Sequence, residues 1–197
     1  FYLDREIGRV MDELKALGID KNTAVFLVSD NGGSLVTYAR NGIYKGGKYT
    51  LFEGGTRVPM MANFPKKYSK GAVVAAPAST MDLFPTICAL AGAPVPERLD
   101  GVDVTAQLTG EKAEIKRSPL FWDTKREWAI RKGKWKLLVT KQVPNAKLQI
   151  TDTPKGTFLY DLEKDPGETT NLYSQYPEVA GGLASELETW KAAVRQD

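Results

Sequence analysis

A chain of 197 residues, 42% hydrophobic and 26% charged, can bury one full core, or one larger layer with a small subdomain. Its 27 basic and 24 acidic side chains leave a net +3, too mild for a nucleic-acid binder, and no arginine-rich or aromatic-interleaved module is present. With no histidine and one cysteine, the chain by itself cannot build a Ser-His-Asp triad, a His-ligated zinc site or an internal disulfide. No run of about 18 apolar residues suggests a membrane span.

The chain opens Phe1-Tyr2-Leu3-Asp4-Arg5, without an initiator Met or a signal-peptide pattern, and so reads as starting partway into a longer protein. Leu3, Ile7, Val10, Met11, Leu14 and Leu17 recur at helical spacing up to Gly18, which predicts an amphipathic helix. Thr23 to Val28 is a short apolar run rich in β-formers, suited to a strand buried on both faces of a parallel sheet. Its sheet neighbours are expected upstream of this chain. Ser29-Asp30-Asn31-Gly32-Gly33 cannot continue a buried strand, and Ser34 to Gly55 reads as a long irregular loop of the kind that carries function. Val58 to Pro65 is a second extended segment.

Ser79 to Pro85 leads into a helix through Ala91, with Thr80 as cap, Pro85 in the first turn and Gly92 as the stop. Cys88 lies among apolar neighbours at helical spacing and reads as a small buried hydrophobe rather than a nucleophile. Ala93 to Arg98 is a linker-like break. Beyond it, Trp128–Arg131 and Trp135–Val139 flank Lys132-Gly133-Lys134 as a hairpin, and Phe158–Leu162 forms a third strand before the turn Asp165-Pro166-Gly167-Glu168. Pro177 opens a last helix with Leu183, Leu187, Trp190 and Val194 on one face.

Ligands of open α/β sheets bind beyond the carboxyl ends of the strands, which is where Asp30 and Asn31 fall. A carboxylate beside an amide offers two hard oxygens to Ca²⁺ or Mg²⁺, although Asp-Asn-Gly-Gly is equally an ordinary turn sequence. In Tyr44-Lys45-Gly46-Gly47-Lys48-Tyr49-Thr50 the paired glycines allow close backbone approach to an anion, and Lys48 supplies a point charge to a tetrahedral oxyanion. A flexible turn with solvated lysines is the competing reading, and the nucleotide P-loop spacing is absent. Glu53 and Arg57 flank Gly54-Gly55-Thr56 and suit a hydrogen-bonding role that fixes the loop.

Taken in order, Ser29-Asp30-Asn31-Gly32-Gly33, Asn41 through Gly46-Gly47-Lys48, and Phe52-Glu53-Gly54-Gly55-Thr56-Arg57-Val58-Pro59 resemble the central signature of the formylglycine-dependent sulfatases, of the alkaline phosphatase superfamily. The resemblance continues through Met81-Asp82-Leu83-Phe84-Pro85-Thr86, Asp100-Gly101-Val102-Asp103, Ala129-Ile130-Arg131, Leu159-Tyr160-Asp161-Leu162, Asp165-Pro166 and Asn171-Leu172, and so covers nearly the whole chain. It implies the C-terminal part of an alkaline-phosphatase-like α/β sandwich over residues 1–96. A small α+β subdomain with an antiparallel sheet and a C-terminal helix would follow over 97–197.

It further implies that Asp30 and Asn31 bind one divalent cation, usually Ca²⁺ with Mg²⁺ possible, and that Lys48 contacts the sulfate and its bridging oxygen. Asn41, Tyr44 and Arg126, with Arg40 and Trp122, are candidates to line a pocket for a sulfated carbohydrate. The family nucleophile, a formylglycine made within Cys/Ser-x-Pro/Ala-x-Arg, does not match Cys88, which is followed by Ala89-Leu90-Ala91-Gly92. It is expected in an N-terminal portion, the partner without which this chain is expected to be inactive. Two alternatives stand beside the sulfate-ester hydrolase: a phosphatase or phosphodiesterase of the same superfamily, and a non-catalytic sulfatase-like binding protein. The family leans to periplasmic, secreted or lysosomal locations, and the sequence does not choose among them.

Overall fold

The computed structural model describes residues 1–68, 71–111, 114–141 and 155–194. The chain divides into two compact units, Phe1–Val28 with Pro59–Arg117, and Ser29–Val58 with Ser118–Asp197. No helix among the described residues is long and apolar enough to cross a membrane.

In the first unit, helix α1 (Tyr2–Ala16) has Asp4 in its first turn and Lys15 in its last, both favourable to the helix dipole. Gly18, at φ 71°, ends it as the sequence predicts. None of its residues is buried, and Leu3, Val10 and Leu17 stand largely exposed. Strand β1 (Val25–Val28) pairs with β2 (Met60–Asn63), Val25 opposite Asn63 and Val28 opposite Met60. This pairing is antiparallel, and all four residues of β1 are partly buried within this chain; the parallel neighbours read from the apolar run are expected upstream of it.

Helix α3 (Leu83–Ala91) follows a single 3₁₀ turn at Thr80–Asp82 and stops at Gly92, at φ 68°. The 3₁₀ turn is capped by Ser79, one residue before the predicted Thr80: the Ser79 hydroxyl accepts from Met81 N–H, while Asp82 accepts from Ser79 N–H at 2.7 Å and itself stands as the N-cap of α3. The fully buried Asp82 also accepts from Val102 N–H at 2.9 Å and pairs with Arg117. A Cβ on Gly101 would lie 2.0 Å from the Met81 carbonyl oxygen, so only glycine permits this approach. Helix α4 (Thr105–Leu108), which the sequence reading did not anticipate, lies just beyond. Cys88 is partly rather than fully buried.

The second unit is built on a four-stranded antiparallel meander, β3 (Leu120–Asp123), β4 (Glu127–Lys132), β5 (Trp135–Thr140) and β6 (Gly156–Asp161). The predicted hairpin is β4–β5, with Lys132 opposite Trp135 across a Gly133-Lys134 turn, and Gly133 takes φ 58° as such a turn requires. Helix α5 (Pro177–Val194) covers one face. There Leu183 and Leu187 pack with Trp128, Ile130, Leu137 and Leu159, and the Phe121 and Trp190 rings stack at 4.9 Å. Val194, predicted on the same stripe, is half exposed.

Period-two alternation sends Ala129, Leu138 and Tyr160 to the opposite face, where Leu51 and Phe52 of the 29–58 loop cover them. The sheet is therefore buried on both sides, once by a helix and once by a loop.

Candidate active site

Residues Ser29 to Val58 form two glycine-rich strips laid backbone against backbone. Gly32 N–H donates to the Gly55 carbonyl at 3.0 Å, Lys48 N–H to the Gly33 carbonyl at 3.1 Å, and Gly54 N–H to the Lys45 carbonyl at 2.8 Å. Side chains are excluded at these crossings. A Cβ on Gly32 would lie 1.7 Å from the Gly54 oxygen, and one on Gly47 would lie 2.4 Å from the Gly33 oxygen. The three glycine pairs of this loop, at 32–33, 46–47 and 54–55, are thus the condition for bringing the Asp30-Asn31 turn beside Lys48.

Asn41 clamps the arrangement. Its amide oxygen accepts from Gly33 N–H at 2.8 Å, and its amide nitrogen donates to the Gly33 and Gly46 carbonyls at 3.1 and 2.9 Å. Both ends of the side chain are engaged inside the loop. Asn31 Nδ2 donates to the Gly32 carbonyl at 2.8 Å, which leaves its amide oxygen without a hydrogen bond among the described residues. Asp30 is exposed, and its carboxylate has no hydrogen bond or ion pair among them. Lys48 is partly buried, with Nζ 5.5 Å from the Tyr49 ring centroid and no ion pair among the described residues. Three polar groups at the strip junction are therefore left unspent by the fold.

Of the candidate pocket residues, Tyr44 lies under the Arg57 guanidinium, 4.8 Å from its ring centroid. Arg126 is exposed in the β3–β4 turn, where its carbonyl accepts from Lys141 N–H at 3.0 Å. Trp122 packs among the apolar residues of the loop-facing side of the sheet.

The loop is bolted to the sheet by buried charges. A short helix, α2 (Glu53–Thr56), carries the pair Gly54-Gly55. Glu53 Oε1 lies 3.0 Å from Lys136 Nζ, and its Oε2 lies 3.7 Å from both Arg57 and Arg131. Lys136 Nζ is also 2.9 Å from Glu168 Oε1, and Glu168 Oε2 accepts from Glu53 N–H at 2.6 Å. One step along, Glu127 Oε2 accepts from Leu51 N–H at 2.7 Å. Glu53 and Arg57 thus fill the loop-fixing role read from the sequence.

Lys136, Glu127, Arg131 and Glu168 were not singled out for any role in the sequence. Burial pushes the Glu168 and Glu127 carboxyls above the ordinary carboxylate range, against the pull of Lys136 and of the backbone N–H groups each accepts. Burial likewise lowers Arg131, opposed by Glu53.

As a cation site the arrangement supplies two oxygen donors, Asp30 and Asn31. No group of three His, Cys, Asp or Glu side chains that could hold a metal occurs among the described residues. Two donors fit part of a Ca²⁺ shell of six to eight oxygens and leave the rest to be supplied from elsewhere.

Known proteins share this architecture. The sulfatase family model matches residues 1–93. Arylsulfatase A of Homo sapiens is 34% identical across 96% of this chain and 40% of its own length. The N-acetylgalactosamine-6-O-sulfatase of Bacteroides thetaiotaomicron is 31% identical across 96% of this chain and 40% of its own. A solved Bacteroides thetaiotaomicron structure from work on glycosaminoglycan metabolism superposes with a TM-score of 0.82 at 30% identity, covering 96% of this chain and 43% of that one. The phosphonate monoester hydrolase of Agrobacterium radiobacter gives 0.68 at 26% identity, covering 96% and 39%.

The chain spans about 40% of the length of the curated relatives it matches. Fold and neighbours together define an α/β chain of the alkaline-phosphatase-like class. Within that class, residues 1–93 match the sulfatase family, and named sulfatases are similar to the chain along 96% of its length.

Proposed function

We propose that this chain is the C-terminal part of a sulfate-ester hydrolase, to whose active site it contributes Asp30, Asn31 and Lys48. The observation that carries the reading is the Lys48 N–H to Gly33 carbonyl bond, which sets the lysine beside the Asp30-Asn31 turn with three polar groups unspent. Asp30 and Asn31 hold a divalent cation, Ca²⁺ by family and Mg²⁺ as the substitute, through their side-chain oxygens. When bound, the cation withdraws charge from the sulfuryl oxygens. Lys48 offsets charge on the same oxygens and on the departing alkoxide, and Asn41 positions it by holding Gly33 and Gly46 together.

Neither nucleophile nor histidine comes from this chain, so the formylglycine and the remaining cation ligands belong to the portion of the protein outside it. In chain order, residues 1–96 form part of the catalytic domain and 97–197 a C-terminal subdomain. The 29–58 loop is then the piece of the former that packs on the sheet of the latter. A sulfated carbohydrate is the substrate class, supported by the amino-sugar sulfatase among the relatives, with Tyr44 and Arg126 as candidate contacts.

The test uses the full-length protein that contains this chain. Lys48→Ala is expected to lower kcat for an aryl sulfate by about 10²–10³ while bound calcium stays at the wild-type ratio. Asp30→Ala is expected to lose both. Turnover of Lys48→Ala within twofold of wild type, or full turnover by the 197-residue chain alone, would sink the reading. The likeness to a phosphonate monoester hydrolase supports a second reading, hydrolysis of phosphorus esters. A higher kcat/KM for phenyl phosphate or for the monoester phenyl methylphosphonate than for phenyl sulfate selects it.

A further inference from the structure

The buried charges beneath α2 have no part in the chemistry just described, yet they sit under both halves of the site. Lys136 has 0% of its side chain exposed and touches two carboxylates, Glu53 and Glu168. Stability alone is a poor account of such a group, because replacing buried ion pairs by well-packed apolar side chains is often neutral or stabilising. What a paired buried charge does supply is direction. Leu51 and Phe52 seat the loop on the sheet by apolar contact, which resists separation but not sliding. An ammonium between two carboxylates admits one seat.

The seat matters because α2 is the joint between the two strips. Gly54 ties it to Lys45, three residues before Lys48, and Gly55 ties it to Gly32, next to Asn31. Any slide of α2 over the sheet therefore carries Lys48 and the Asp30-Asn31 turn with it. Glu168 grips α2 twice, through Lys136 and through the Glu53 N–H, and its backbone oxygen receives Lys45 Nζ at 3.5 Å. Glu168 holds this position in the left-handed region, at φ 55°, a conformation costly for a side chain other than glycine and kept here by the Asp165-Pro166-Gly167 turn before it.

Resting on the proposed roles of Asp30, Asn31 and Lys48, we propose that Lys136 and Glu168 are positioning residues for the sulfatase site. They fix α2 on the antiparallel sheet so that the cation ligands and the lysine keep their mutual register. The remote sheet, which bears none of the three site residues, would in this way set their geometry.

The experiment pairs Lys136→Met with Glu168→Gln in the full-length protein, removing one positive and one negative charge so that the net charge is unchanged and Glu53 keeps Arg57 and Arg131 beside it. Hydrogen exchange followed by mass spectrometry reads residues 44–56 against residues 127–140, and kinetics with an aryl sulfate read kcat against KM. Exchange over 44–56 is expected to quicken by about tenfold or more with 127–140 unchanged. At saturating calcium, kcat is expected to fall by about tenfold or more while KM stays within about threefold. Lys136→Gln, which keeps a donor for both carboxylates, supplies the same comparison should the double variant fail to fold.

Equal acceleration in both segments marks a merely structural cluster and overturns the proposal, as does unchanged exchange over 44–56 or a kcat equal to wild type. A wild-type protein without sulfate-ester turnover ends the reading of function instead. The local exchange difference then decides by itself whether Lys136 fixes the loop.

Discussion

Replacing Gly32 by alanine puts a methyl group 1.7 Å from the Gly54 carbonyl oxygen and 2.7 Å from its carbon, where 3.4 Å is an ordinary contact. Gly32 does not occupy the left-handed region, so the conflict is steric rather than conformational. Both neighbours are backbone and cannot rotate aside, so the strips must part by well over 1 Å. Parting them breaks the Gly32 N–H to Gly55 carbonyl bond, worth about 1 kcal/mol net. Overpacking of this kind costs roughly 1–3 kcal/mol more.

Gly32→Ala is therefore expected to lose about 2–4 kcal/mol in denaturant unfolding of the full-length protein. Its kcat is expected to fall by about 10²-fold, the toll of misplacing a site by about 1 Å. Gly8→Ala is the control: a Cβ there meets nothing within 4 Å, and alanine in an exposed helix gains up to about 1 kcal/mol. If Gly32→Ala unfolds and turns over like Gly8→Ala, the strips are not locked as described.

Leu187→Ala removes a buried side chain packed on Trp128, Ile130, Leu137 and Leu159, and is expected to cost about 2–5 kcal/mol by denaturant unfolding. A loss below half a kcal/mol would mean that α5 does not cap the sheet. Glu168 gives stability a pH signature. Its folded pKa stands above the ordinary 4.5, so the folded state binds the extra proton between those two values. Its penalty is full above the raised pKa and is relieved as pH falls toward 4.5, and Glu168→Gln is expected to flatten that part of a stability-against-pH curve. An identical curve for the variant would refute the assignment.

Sequence pattern reached the elements whose signals are local. Gly18 and Gly92 stop their helices, and alternation in Trp128–Arg131 and Trp135–Val139 sets the β4–β5 hairpin. The Asp30-to-Lys48 segment reads as a site only through its resemblance to the sulfatase signature, since paired glycines by themselves fit an ordinary turn as well. Strand β3 escaped notice because four residues after a proline carry too short an alternation. Ser and Thr are near-equal caps, so the sequence alone points to Thr80 as readily as to Ser79; the choice of Ser79 depends on Asp82 reaching back.

The buried lysine escaped for a different reason. Trp135-Lys136-Leu137-Leu138 says that Lys136 lies on one face of a strand but not what covers that face. Its cover comes from residue 53, which lies 83 positions earlier in the chain. Pattern reports which way a side chain faces; only tertiary structure supplies the partner that makes a buried charge tolerable.

That separation in sequence has a consequence for biosynthesis. Glu53 and Glu168 meet across 115 residues. At ribosomal rates of about 5–20 residues per second, the loop bearing Lys48 waits on the order of 6–23 s before its last anchor is even polymerised. Through that interval the glycine strips lack the grip of Glu168 on α2. A premature stop shortly before residue 168 would leave Asp30, Asn31 and Lys48 intact in sequence but without the turn that holds their loop on the sheet.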